Sequence, residues 1–327
     1  MQPSFLCGLD ALTLDDRTIP ALNDVADCLS TAERARIDAD LPQLAETARR
    51  ISGHWDFAGP AMVFERWIER EDEQDRLRLK KALVARLAVQ LFRIEDRMPS
   101  SVIALYPAFL QRLASFLKEG AEETYDIDYF IKDVRYALGL TVPAGTLSFD
   151  LRYRIGPKLA MRGAAAGDVG CAIDYLRWQG WGRWYNGHID SRDPDGVSPA
   201  GWTECFKRIA PALEANPDVR GVVQVSWFYD PIVTEVSPRL AYLRSIQTEN
   251  GAFLIRLGPT EQDRINATAT SETRRRLVEE GRFKPTGYLI AWPRRPLIKW
   301  AQHSADKPGP AFDPPARHPT RAMSPPR

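Results

Sequence analysis

The sequence predicts a mixed α+β / α/β protein: a helical N-terminal region over residues 1–140, then a mixed-sheet α/β domain over residues 141–303. Three observations predict it. Apolar residues recur at helical spacing up to about residue 140. Composition then shifts at Thr141-Val142-Pro143-Ala144-Gly145, which reads as a linker. Beyond it lies Val219-Arg220-Gly221-Val222-Val223-Gln224-Val225-Ser226-Trp227-Phe228-Tyr229-Asp230-Pro231, a run too apolar for a surface strand. It reads as a central strand covered on both faces, closed by a proline that cannot pair. Ligands of α/β sheets bind beyond the carboxyl ends of such strands.

In chain order, residues 1–29 read as irregular. Ser30-Thr31-Ala32-Glu33 is a capping box for a helix to about Ile51, with Pro42 a candidate kink. A short helix is expected over Ala61–Arg70. A longer one follows over Asp75–Arg93, with Leu79, Leu83, Leu87 and Leu91 on one face. Val102, Tyr106, Phe109, Leu110, Leu113, Phe116 and Leu117 form an aromatic stripe read as bundle core, with Pro107 shifting or kinking the start. Glu122–Leu140 completes the helices. Its acidic cluster (Glu122, Glu123, Asp126, Asp128) suits a helix's first turn.

Thr146–Tyr153 alternates like a strand, Gly163–Gly170 reads as loop and Cys171–Trp178 as helix. Trp178–Arg192 holds three glycines among its tryptophans and suits a structured loop or hairpin. Ser198-Pro199 caps a helix to Glu214. After the central strand come a short helix from Ser237-Pro238, a strand over Ala252–Leu257 and a long helix from Thr260 to Gly281. A strand over Gly287–Trp292 and a helix from Pro296 to about His303 follow. Residues 304–327 hold seven prolines and are expected to be a disordered tail.

The 327 residues carry 44 basic and 43 acidic side chains, a net charge of +1. That balance offers no field for nucleic acid or an anionic membrane. The four cysteines are scattered, giving neither zinc module nor disulfide scaffold. No signal peptide or membrane-spanning run is read from the sequence, so the expected location is cytoplasmic and the expected partner a small-molecule substrate.

Three constellations bear on chemistry. His188 is the group best matched to proton transfer at neutral pH. It is read as the base, with Tyr229 or Asp230 orienting substrate, because the helix after residue 198 returns the chain to the sheet near the loop that bears it. His188-Ile189-Asp190 also matches the first two ligands of a 2-His-1-carboxylate iron site. Iron-dependent oxygenation is the third functional reading, and no metal is expected in the first. Cys205 or Ser226 beside His188 would be a nucleophile set, without the Gly-x-Ser-x-Gly elbow. Trp184, Trp227 and Arg192 are the expected substrate wall and handle.

The order strand, helix, strand, helix, strand from Val219 on, with Arg274-Arg275-Arg276-Leu277-Val278-Glu279-Glu280-Gly281-Arg282-Phe283 before the strand that bears Tyr288, resembles the second half of the GNAT superfamily of acyl-CoA-dependent N-acyltransferases. The resemblance covers about residues 219–293. It implies a GNAT-like fold, an acyl-CoA or other thioester co-substrate, and transfer of its acyl group to a small amine. Where the family carries an Arg-Gly-x-Gly loop for the pyrophosphate, this chain has Ser237-Pro238-Arg239, so Arg239 and Ser237 become the expected cofactor contacts. The family's general-acid tyrosine falls near Leu277. The alternative is a non-catalytic small-ligand-binding or regulatory protein that keeps the pocket.

Overall fold

The structure, a computed structural model, describes residues 8–51, 59–69, 73–94, 97–119, 127–165, 169–189 and 197–305. Among the described residues, seven α-helices come first: α1 (Thr18–Ala26), α2 (Thr31–Ile51), α3 (Gly59–Ile68), α4 (Glu73–Leu91), α5 (Ser100–Ile103), α6 (Tyr106–Glu119) and α7 (Ile127–Ala137). The capping box forms as the sequence requires. The Ser30 amide donates to Glu33 Oε2 (2.7 Å), and the Glu33 amide donates to Ser30 Oγ (3.3 Å). Arg78 also pairs with the Glu33 carboxylate, tying α4 to the start of α2. α2 runs through Pro42 without a break, while Pro107 falls in the first turn of α6, where its missing N–H costs nothing. The stripe of α5 and α6 is buried at Val102, Tyr106, Phe109, Leu110, Leu113 and Leu117, and α1 packs against α4 and α6. By length and composition alone Ser100–Lys118 would also span a membrane; in the fold its apolar face is bundle core.

The second part is a six-stranded sheet in the order β1-β2-β3-β4-β6-β5: β1 (Thr141–Pro143), β2 (Leu147–Tyr153), β3 (Arg183–Ile189), β4 (Val219–Ser226), β5 (Phe253–Gly258) and β6 (Gly287–Pro293). Every neighbouring pair is antiparallel except β3 and β4, which run parallel. Parallel strands need a crossover, and α10 (Pro199–Ala215) supplies it. Ser198 Oγ caps α10 by accepting from the Gly201 amide at 3.1 Å, with Pro199 in the first turn. α8 (Pro157–Ala165) and α9 (Val169–Arg177) precede β3, and α11 (Val233–Val236) and α12 (Tyr242–Thr248) follow β4. α13 (Glu261–Thr268) and α14 (Glu272–Glu279) stand before β6, with α15 (Arg294–Ala305) after it.

The two-residue period sorts the strands' side chains between two cores. Trp184, Val223, Leu289 and Ala291 meet Leu159 and Tyr175 of α8 and α9. Tyr185, Val222, Ile290 and Trp292 meet Trp202 and Phe206 of α10. This second core is continuous with that of the helical region, since Leu83, Phe130 and Val134 belong to the same cluster.

Several expectations need correction. Residues 18–26, read as irregular, form α1, whose Leu22 is fully buried. Thr141-Val142-Pro143, read as linker, is β1 at the sheet's edge. Residues 163–165 belong to α8. Within the aromatic run read as a structured loop or hairpin, Arg183–Ile189 is β3: a Cβ at Gly187 would lie 2.9 Å from Phe149 and from Gln224, so that glycine marks close packing rather than a turn. The central strand stops at Ser226, because Trp227–Tyr229 coil into a 3-10 turn whose Phe228 amide donates to Ser226 Oγ (3.2 Å). Thr260–Gly281 is two helices, since Ser271 caps a second one by accepting from the Arg274 amide. Glu122, Glu123, Asp126, Asp190, Arg192 and the proline-rich tail lie outside the described residues.

Candidate functional site

The parallel pair opens. Its last ladder pair is Asn186↔Val223, yet β3 continues to Ile189 and β4 to Ser226. On its other side β4 stays paired with β6 as far as Ser226↔Tyr288. A cleft of about 320 Å³ fills the gap, lined by Gly187, His188 and Ile189 from one strand and Gln224, Val225 and Ser226 from the other. Consecutive strand residues point to opposite faces, so a cleft touching three in a row from each strand lies between them, in the plane of the sheet. Lys132 of α7, Phe228, Tyr229 and Asn266 of α13 complete its wall. Val225 is 49% exposed there, which corrects the expectation of a strand covered along its whole length.

His188 carries the strongest polar geometry. Its Nε2 lies 2.8 Å from Asp150 Oδ2 and 3.0 Å from Asn186 Nδ2. Ser148 stands opposite His188 across the β2–β3 ladder and Asp150 opposite Asn186, so the imidazole reaches its carboxylate diagonally. Asp150 is buried, and its Oδ1 accepts from Arg135 Nε (2.8 Å) and Thr141 Oγ1 (2.8 Å). Burial opposes its ionisation, but the charges of Arg135 and His188, with the hydrogen bonds, hold it at about 2. An ionised carboxylate only accepts, so Nε2 carries the hydrogen and donates to Asp150. Asn186 Nδ2 is a neighbour of that nitrogen and not its hydrogen-bond partner, and Nδ1 is the basic nitrogen of the neutral ring.

The carboxylate beside His188 is therefore Asp150 and not the Asp230 expected. Asp230 ends the 3-10 turn: its Oδ1 accepts from the Ile232 amide (3.2 Å), and Thr286 and Arg256 are its other neighbours. Burial raises its pKa against those partners. Tyr229 does line the cleft; burial drives its phenol well above the usual range, with Gln247 opposing.

The expected cofactor contacts do not reach the cleft. Ser237 is buried with its Oγ 3.5 Å from Arg274 Nη1, and Arg239 is exposed on the 3-10 turn Pro238–Leu240. Trp184 is fully buried among the α8–α9 core, and Trp227 packs on Phe228, Phe283 and the Arg274 guanidinium. Both tryptophans are core: the alternation of β3 turns Trp184 toward α8 and α9, and the early end of β4 takes Trp227 off the strand. Cys205 is buried in α10 with its thiol accepting from the Leu147 amide, a core position. The other described histidine, His303, is in α15 and lines a separate cleft. Among the described residues no group of three or more His, Cys, Asp or Glu converges as for a metal.

Sequence reasoning missed Asp150, Asn186, Gln224, Lys132 and Asn266. Asp150 was visible only as one member, with Ser148 and Arg152, of the polar side of the alternating strand Leu147–Tyr153, which marked no site. Comparison with known protein families, curated proteins and solved structures finds no match for this chain.

Proposed function

We propose that this protein transfers an acyl group from a thioester donor such as acyl-CoA to a small amine, within a GNAT-like arrangement of the sheet. The observation that supports this most is the opening of the parallel pair beyond Asn186↔Val223. Strand edges that part leave backbone N–H and C=O groups without a ladder partner. The amide-bearing arm of an acyl-pantetheine is an extended chain able to bond to them, as an added strand does. The thioester carbonyl then sits near His188, and Lys132 is the cation on the wall for the donor's anionic end.

The proposed chemistry is direct. The amine nitrogen attacks the thioester carbonyl as His188 Nδ1 accepts its proton, and Asp150 steadies the imidazolium. Collapse of the tetrahedral adduct breaks the C–S bond. The leaving thiolate takes its proton from the His188 imidazolium, which returns the imidazole to its starting state.

The test is a thermal-shift series with acetyl-CoA and longer acyl-CoAs, followed by thiol-release assays with a panel of small amines. Binding with amine-dependent thiol release supports the proposal. Binding without thiol release points to the non-catalytic ligand-binding role instead. No stabilisation by any acyl-CoA overturns the acyltransferase proposal and leaves the role of binding another small ligand.

A further inference from the structure

We infer that a second ligand site lies at the opposite end of the same parallel pair, and that it takes a nucleotide: phosphates on an arginine cluster, ring against tryptophan. A cavity of about 410 Å³ opens where β3 and β4 begin. Arg177, Arg220, Arg294 and Arg295 converge on it from α9, β4 and α15. Its remaining wall is Trp178, Gln179, Pro217 and Val219, with no carboxylate. A balanced surface mixes its signs; four guanidiniums around one hollow in a chain of net charge +1 do not.

The backbone is bent to build it. Between the pairs Arg183↔Val219 and Tyr185↔Val222, β4 spends one residue more than β3. This bulge at Arg220-Gly221 re-aims a side chain. Gly221 has φ +153°, and a Cβ there would lie 2.2 Å from the Trp292 carbonyl oxygen. Arg220 is turned into the hollow with its buried Nε lacking any hydrogen-bond partner. Gln179, on the same wall, takes its positive φ (53°) as the residue that closes α9. Its amide donates to the Leu176 carbonyl (3.2 Å) and the Gly180 amide to that of Tyr175 (2.8 Å), which fixes the wall's edge.

Among the described residues no carboxylate forms an ion pair with these four arginines. Arg294 is pinned by donating to the carbonyls of Leu213 (2.7 Å) and Glu214 (3.3 Å). Guanidinium forks without carboxylates match phosphate oxygens.

Trp178 and Arg295 also border an adjoining cleft of about 660 Å³, with Trp300, Lys299 and His303. The Arg177 guanidinium lies 5.0 Å from the Trp178 ring centre. One hollow is thus cationic and its neighbour aromatic, the division a nucleotide presents.

The test titrates the full chain with ATP, adenosine, tripolyphosphate and a ten-nucleotide single-stranded RNA in about 150 mM salt, read by tryptophan fluorescence and calorimetry. The inference expects ATP to bind at least tenfold more tightly than adenosine or tripolyphosphate. Arg295→Glu, on an exposed position, and Arg220→Gln should each weaken ATP at least tenfold with an unchanged circular dichroism spectrum. Val225→Trp, in the acyl-donor cleft, should leave ATP affinity unaltered, so the two sites stand or fall separately. No ATP binding at millimolar concentration, or binding indifferent to Arg295→Glu, overturns the site. Tripolyphosphate or adenosine equal to ATP overturns the nucleotide assignment, and RNA binding tighter than ATP overturns a small-molecule ligand.

Discussion

His188 on β3 donates through Nε2 to Asp150, a residue 38 positions earlier on the neighbouring strand, at 2.8 Å. The same carboxylate neutralises the buried Arg135, so it serves the imidazole and the fold at once. Asp150→Asn removes the carboxylate charge that the buried Arg135 pairs with. Breaking a buried pair from one side costs about 3–5 kcal/mol, and urea denaturation should show a loss of that order. Asp150→Leu combined with Arg135→Met should recover much of it, because apolar replacement of the whole pair spares the desolvation.

Removing the imidazole should behave differently. The His188 side chain is 23% exposed at the cleft wall, so His188→Gln is expected to change stability by less than about 1 kcal/mol. Acyl transfer should fall by about 10²-fold or more, the usual worth of a positioned base. A large drop in melting temperature with activity preserved would assign His188 to the core.

Val225→Trp probes the space between the parted strands. An exposed strand position tolerates substitution within about 0.5 kcal/mol, while the indole fills the gap. Stabilisation by acetyl-CoA should disappear with the unliganded melting temperature unchanged. Persistent stabilisation would move the donor elsewhere.

Acid should weaken the fold through two carboxylates. Hydrogen bonding to Arg78, then to Ser30, lowers Glu33 from 4.5 to about 2, and Arg135 with His188 outweighs burial to bring Asp150 from 3.8 to about 2. Both are depressed in the folded state. Their contribution is therefore complete above the unfolded values near pH 4–4.5 and drains away as pH falls toward about 2. Denaturant midpoints measured from pH 6 to pH 2 should fall across that window. In Glu33→Gln the fall should be shallower.

Unfolding should be a single cooperative event. The core that joins Leu83, Phe130 and Val134 to Phe149, Phe206 and Trp292 is unbroken, and residues 141–143 are hydrogen-bonded strand. Circular dichroism and tryptophan fluorescence should report one midpoint, and limited proteolysis should spare Thr141–Gly145. Two separated midpoints would show that the helical region folds alone.

What the sequence conveyed and what it hid follow one physical division. Local signals came through: the Ser30–Glu33 box, the Ser198-Pro199 cap and the Val219–Ser226 run depend on neighbours a few residues apart. The partner of His188 did not, because strand register set by residues far apart in the chain decides it. β3 was disguised by Gly187, which serves close packing against Gln224 and Phe149, and by Gly180 and Gly182 just before it. Trp227 looked like a strand residue until Ser226 drew the chain into a tight turn, while Trp184 faces the α8–α9 core by the alternation of β3. The arginine hollow is equally nonlocal, since its four cations come from three separate segments of the chain.

The brevity of β1 also bears on how molecules of this protein meet one another. The outermost strand of a sheet is a template on which a stray chain can crystallise its own backbone. Here that margin is three residues long and closes on Pro143, a residue with no amide hydrogen to offer. At the far margin, the pairing of β5 is irregular between Arg256 and Gly258, and Arg256 is exposed, features that blunt an edge. Both selvedges of the sheet are thereby hemmed, and crowded copies in a cell gain little by zipping edge to edge.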